Sequence, residues 1–66
     1  LTVKDNGSRY LNVTLDGRFL SATPVVQVAI PAGTHVIELL DPASGALVLA
    51  RSIKVAPGGA VTVAEP

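Results

Sequence analysis

The sequence contains no cysteine, so no disulfide can crosslink the chain and no thiolate can act as a nucleophile or bind zinc. It also contains a single histidine, which leaves a metal site or a catalytic base without further imidazole partners. No Gly-rich stretch leads into a predicted helix, as a phosphate-binding loop would require. We therefore expect no catalytic residue, no metal site and no cofactor in this chain.

Excess charge and long apolar segments are also missing. Five Lys plus Arg balance five Asp plus Glu, which gives a formal net charge of zero and argues against nucleic acid as a partner. No apolar run approaches the roughly 20 residues of a membrane-spanning helix, so we expect no direct membrane insertion. The chain begins at Leu1 without the pattern of a signal peptide, and we expect it to be a piece excised from a larger protein.

The residues that are abundant are aliphatic and β-branched, and they occur in short alternating runs closed by Gly, Pro, Asp or Asn. This pattern predicts strands joined by turns, without a helix. The predicted strands cover residues 1–4, 10–15, 18–20, 25–30, 34–40, 47–56 and 60–64. Six to seven short strands at this spacing predict an all-β fold, a small two-sheet antiparallel β-sandwich of immunoglobulin-like or prealbumin-like type. We expect one domain over residues 1–66.

Two of these strands carry specific expectations about the core. Val26, Val28 and Ile30 share one face of the strand at residues 25–30, with Gln27 opposite them, and we expect Val28 to be a core position. This strand has high β-propensity and no charge, so it should be central in a sheet; if it is exposed, self-association should follow. In the strand at residues 34–40, either the face of His35, Ile37 and Leu39 or the face of Val36, Glu38 and Leu40 could be core.

The polar residues with potential for chemistry all have structural interpretations. Asp16 and Gly17 predict a type I′ hairpin turn, in which both central residues take a positive φ. Asp5, Asp16 and Asp41 occupy turn positions, where a carboxylate binds the backbone two residues further on. His35 follows a turn, and we expect its ring to pack at the edge of the core with one nitrogen bonded to nearby backbone.

The aromatic residues Tyr10 and Phe19 are the remaining candidates for a contact surface. They make up 3% of the chain, whereas surfaces that stack on sugars or single-stranded nucleic acid usually present several rings. If both rings are exposed on one face, they predict a glycan-binding site. The alternative is that Phe19 caps one end of the core and Tyr10 covers its rim.

Residues 13–24 (VTLDGRFLSATP) and residues 30–35 (IPAGTH) resemble the PEGA domain family of bacteria. The first stretch is similar to that family's strand, Asp-Gly turn and Thr-Pro step. The second is similar to its Pro-x-Gly turn, in the Gly-Thr-His form found in PEGA tails of some bacterial serine/threonine kinases. Residues 55–59 and 61–63 resemble the closing strand, turn and strand, so the resemblance extends over nearly the whole chain, although residues 8–11 (SRYL) replace the Pro-Glu-Gly-Ala signature.

The resemblance implies a small β-sandwich that serves as an accessory domain of bacterial envelope proteins or protein kinases, with no catalytic residue to carry over. We expect protein–protein interaction through its surface or an open sheet edge, or a structural spacer that contacts neighbouring domains of the same chain. The alternative is a cell-wall glycan-binding module that uses Tyr10 and Phe19. The resemblance favours the cell envelope or another extracytoplasmic location, with the tail of a cytoplasmic kinase as the other possibility.

Overall fold

The fold is all-β, as the sequence predicts. A computed structural model describes residues 1–65, and Pro66, the last residue of the predicted domain, lies outside them. The strands are β1 (Thr2–Lys4), β2 (Asn12–Leu15), β3 (Arg18–Ala22), β4 (Gly33–Leu40), β5 (Leu47–Val55) and β6 (Thr62–Ala64). Within residues 1–65 there is no helix, and hence none that could cross a membrane.

The strands form two sheets. One is an antiparallel sheet of four strands in the order β3-β2-β4-β5, and the other pairs β1 with β6 in parallel. The parallel pair departs from the antiparallel sandwich that we expected. Tight hairpins enforce antiparallel pairing only between consecutive strands, whereas β1 and β6 are separated by all the others and are free to run in the same direction.

Both sheets contribute to one hydrophobic core. Its buried members are Leu1, Val3, Leu11, Val13, Val25, Ile37, Leu39, Ile53, Val55 and Val63. Alternate side chains of a strand point to opposite faces, so β4 can turn only one of its two apolar rows inward. The buried row is that of His35, Ile37 and Leu39, because Val13 and Ile53 lie opposite these positions on β2 and β5 and belong to the same core.

The strand predicted at residues 25–30 does not form, and its predicted face divides: Val28 and Ile30 are partly buried against the core, whereas Val26 faces solvent. Val25 is buried and forms an isolated antiparallel bridge with Val3, but Val26 is 65% exposed. Gln27 has a φ of 51°, which breaks the alternation of an extended chain, and its N–H is bonded to the Thr2 hydroxyl at 3.2 Å. The segment therefore runs beside β1 as irregular chain instead of lying in the centre of a sheet.

Candidate functional site

Tyr10 and Phe19 are both exposed, with 56% and 66% of their surface accessible. Phe19 pairs with Thr14 across the β2–β3 hairpin, and Thr14 pairs with Glu38, so the ring lies on the face of the four-stranded sheet that points away from the core. The expectation that Phe19 caps the core is therefore wrong. The two-residue Asp16–Gly17 turn sets this pairing, and the register shift lies beyond it, between Val13 and Thr14. The neighbouring residue Leu20 packs against the core instead.

Tyr10 lies just before β2, at the end of that strand away from the Asp16–Gly17 turn. It precedes β2 by two residues, whereas Phe19 is paired close to the Asp16–Gly17 turn. Tyr10 and Thr14 are four positions apart, which corresponds to about 13 Å along an extended chain. We interpret the two rings as separate contact points.

His35 connects the β2–β3 turn to the loop before β4. Its Nδ1 lies 2.6 Å from Asp16 Oδ2, and its Nε2 lies 2.7 Å from the carbonyl oxygen of Pro31. Asp16 Oδ1 accepts a second hydrogen bond from the N–H of Val36 at 2.8 Å. The expected bond from the ring to nearby backbone is confirmed, and the Asp16 partner is an addition that the sequence did not predict.

The contacts of His35 shift the pKa of both His35 and Asp16. Both ring nitrogens face oxygen acceptors, and a neutral imidazole carries only one N–H. The hydrogen bond to Asp16, followed by that to the Pro31 carbonyl, raises the pKa of His35 above its usual value. The same contact with His35, together with the Val36 N–H, lowers the pKa of Asp16. The contacts of His35 with Asp16 and with the Pro31 carbonyl thus hold the β2–β3 turn against the loop before β4.

The carboxylates of Asp5 and Asp41 behave as predicted. Asp5 accepts from the N–H of Gly7, and Asp41 accepts from the N–H of Ala43, each at 2.8 Å. Asp16 is the exception, because its carboxylate bonds to His35 and Val36 and not to the backbone of its own turn. Its predicted turn geometry is nevertheless present, with φ of 51° at Asp16 and 83° at Gly17.

A buried hydroxyl holds the start of β2 to the first turn. The N–H of Leu11 donates to the Thr23 hydroxyl at 2.9 Å, and that hydroxyl donates to Asp5 Oδ2 at 2.7 Å. These bonds from Thr23 and then Gly7 lower the pKa of Asp5. No local sequence pattern marks Thr23 for this role, because its two partners become neighbours only after the strands have paired.

Acidic and basic side chains are equal in number, but the acidic ones form more hydrogen bonds and ion pairs. In the part of the chain that the structure describes, every carboxylate accepts a hydrogen bond or joins an ion pair, namely Asp5, Asp16, Glu38, Asp41 and Glu65. Arg9 pairs with Asp41 at 3.8 Å and with Glu65 at 3.5 Å. The side chains of Lys4, Arg18, Arg51 and Lys54 form no such pair with residues 1–65. The unpaired side-chain charge on the surface is therefore positive.

The sheet edge formed by β5 is open. β5 pairs with β4 on one side, and no strand in the described range pairs with its other side. The N–H of Asp16 donates to the carbonyl of Val36 at 2.9 Å, which shows that the backbone of Val36 points toward β2. Since Val36 lies opposite Ser52, and pairing alternates along an antiparallel ladder, the backbone groups of Ala50, Ser52 and Lys54 point away from the sheet.

A shallow groove of about 370 Å³ lies between β1 and two loops. Its apolar lining includes Leu1, Val28, Ile30, Val55 and Val61, and none of the side chains that line it is titratable. Across residues 1–65 no three His, Cys, Asp or Glu residues cluster in a way that could hold a metal ion. The described residues thus offer edges, two exposed rings and a small apolar groove for contact.

Comparison with known proteins adds no family, relative or fold neighbour to this description. No protein-family model, no curated protein and no solved structure matches the chain.

Proposed function

We propose that this chain is a non-catalytic accessory domain of a larger bacterial protein and that it mediates protein–protein contact or acts as a structural spacer. The parent protein in this proposal is an envelope protein or a serine/threonine protein kinase that carries a divergent PEGA domain. The proposal includes the finer fold assignment, an immunoglobulin-like or prealbumin-like β-sandwich. It rests on the strand and turn pattern of residues 13–24 and 30–35 and on the domain's small size.

The open edge of β5 is the observation that supports contact as the mode of action. A sheet edge presents unpaired backbone donors and acceptors, which can receive a strand from another chain. The edge of β5 spans residues 47–55, and its side chains at Ala50, Arg51, Ser52 and Lys54 are exposed. The edge therefore offers a site where another polypeptide can bind.

A capture experiment tests this proposal. The 66-residue chain is immobilised and exposed to soluble and envelope fractions of bacterial lysate, and each captured protein is then purified and titrated against the domain. We expect at least one protein to rebind saturably and to retain its affinity for the Tyr10→Ala, Phe19→Ala double variant. Failure of every captured protein to rebind would contradict the contact role and leave only the spacer.

A cell-wall glycan module is the second candidate, and the exposure of both aromatic rings favours it. An exposed ring can stack on the apolar face of a sugar, so binding to insoluble cell wall should depend on Tyr10 and Phe19. The matched control is the Val26→Ala, Leu47→Ala double variant, since these two side chains are similarly exposed but not aromatic. Loss of cell-wall binding in the aromatic variant alone would favour this candidate over protein contact.

A further inference from the structure

We propose that the edge of β5 receives an extended acidic segment of a partner polypeptide, one that carries two carboxylates three residues apart. This inference rests on the proposed contact function and specifies where and with what chemistry the contact is made. The added strand would extend the sheet beyond β5 and would pair with the backbone groups of Ala50, Ser52 and Lys54.

β5 is the best edge for such pairing among the described strands. The register between β4 and β5 is regular over residues 49–55, and the shift in this ladder lies outside that range, between Leu39 and Leu40. The opposite edge, β3, has five residues, and its pairing with β2 shifts at Val13/Thr14. β6 has three residues. Only β5 therefore offers a regular ladder long enough to align several residues of a second strand.

The charges on β5 select an acidic partner. Arg51 and Lys54 are its charged residues, and neither forms an ion pair with the described part of the chain. No Asp or Glu occurs in β5. Opposite charges placed directly across a strand pair stabilise it, and like charges destabilise it. A segment with Lys or Arg at these positions would thus be rejected.

The spacing of the two cations sets the spacing of the carboxylates. Arg51 lies opposite Ile37, on the core face of the sheet, and Lys54 lies opposite Thr34, on the outer face. The two cations therefore project to opposite faces. Two acidic residues at positions i and i+3 of an extended segment also project to opposite faces, and they meet both cations whether the segment runs parallel or antiparallel to β5.

A second copy of this chain is a poor occupant by the same reasoning. Pairing two β5 edges would bring together the Arg51 and Lys54 of both copies, with no carboxylate on either strand to neutralise them. We therefore expect the edge to remain free in the isolated chain.

The test uses isotope-labelled protein and three peptides with blocked ends. The first has the sequence Thr-Glu-Val-Thr-Glu-Val-Thr, and the other two carry Gln or Lys in place of both Glu residues. We expect saturable chemical-shift changes along β5 and at least about tenfold slower exchange of the Ala50, Ser52 and Lys54 amides with the acidic peptide. The Lys peptide should bind at least about tenfold more weakly, with the Gln peptide between them.

Three variants separate backbone pairing from charge. Ser52→Pro removes an N–H that points away from β4, so the domain should stay folded by circular dichroism while the acidic peptide no longer binds. The Arg51→Glu, Lys54→Glu double variant should invert the preference to the Lys peptide. Arg18→Glu changes one charge on the opposite edge and should leave binding unchanged.

The possible results are distinguishable. Equal binding of the acidic and Lys peptides, shifts centred on β3, or full binding by folded Ser52→Pro would overturn the inference. Protection of the three edge amides without peptide, together with a dimeric mass in solution, would overturn it in favour of a second copy. If a purified protein partner bound the wild type and Ser52→Pro equally, the assignment of the contact to β5 would fail while the contact function stood. If no protein bound any variant, the β5 assignment and the contact function would both fail.

Discussion

Replacement of Ile37 by Ala should sharply destabilise the domain. Ile37 is 1% exposed and lies in β4 between Leu15 of β2 and Arg51 of β5, so the surrounding sheet can relax little. The change deletes three carbon groups at about 0.8 kcal/mol each, or roughly 2.4 kcal/mol. The cavity left behind brings the expected loss in the free energy of unfolding to about 3 to 4 kcal/mol. A loss of that size is a large part of the stability of a small domain.

Urea unfolding followed by circular dichroism at 25 °C measures this loss. Ile37→Val serves if the Ala variant does not fold, and it should cost about 0.5 to 1.5 kcal/mol. The matched control is Val36→Thr at the next position, where the side chain is 45% exposed on the outer face and a β-branched residue is kept; this change should stay within about 0.5 kcal/mol. A loss below about 0.5 kcal/mol for Ile37→Ala would refute the assignment of this face of β4 to the core.

Three further predictions concern the polar contacts and the hairpin. Because its folded-state pKa is raised, His35 contributes stability that is complete below the unfolded pKa of 6.5 and is lost as pH rises through the folded value. His35→Gln should remove this fall in melting temperature from thermal melts between about pH 6 and 9. Thr23→Val leaves the buried N–H of Leu11 without its acceptor and should cost about 1 to 3 kcal/mol in urea unfolding, whereas Thr23→Ser should restore most of it. Gly17→Ala, at a φ of 83°, should cost about 1 to 2 kcal/mol in the same assay, and no loss would contradict the turn geometry.

Local patterns in the sequence were sufficient to predict most of the strands. The short alternating runs predicted a strand at residues 10–15, and the Asp16–Gly17 pair predicted the hairpin that follows it, because both signals depend only on neighbouring residues. At residues 25–30 the same alternation predicted a strand that does not form, although Val28 and Ile30 do pack against the core. There the positive φ of Gln27 and its bond to Thr2 override a strong strand propensity, and this long-range contact has no signal in the local sequence.

The candidate site was predicted less completely than the fold. The bond between His35 and Asp16 joins residues 19 positions apart, and it depends on β2 pairing with β4 in one register. The open edge at β5 depends on the order of the strands in the sheet. Alternation indicates which face of a strand a residue lies on, but it does not indicate which strand lies beside it. The exposure of Phe19, in contrast, follows from the two-residue Asp16–Gly17 turn, which sets Phe19 opposite Thr14 on the outer face.

Amide hydrogen exchange along β5 in the free protein tests the open edge most directly. Residues Leu49, Arg51 and Ile53 lie opposite β4 residues whose backbone points toward β5, so their amides should be protected. The amides of Ala50, Ser52 and Lys54 should exchange faster by at least about tenfold, which gives a period of two along the strand. Uniform protection of all these amides would contradict an edge that is free to receive a partner strand.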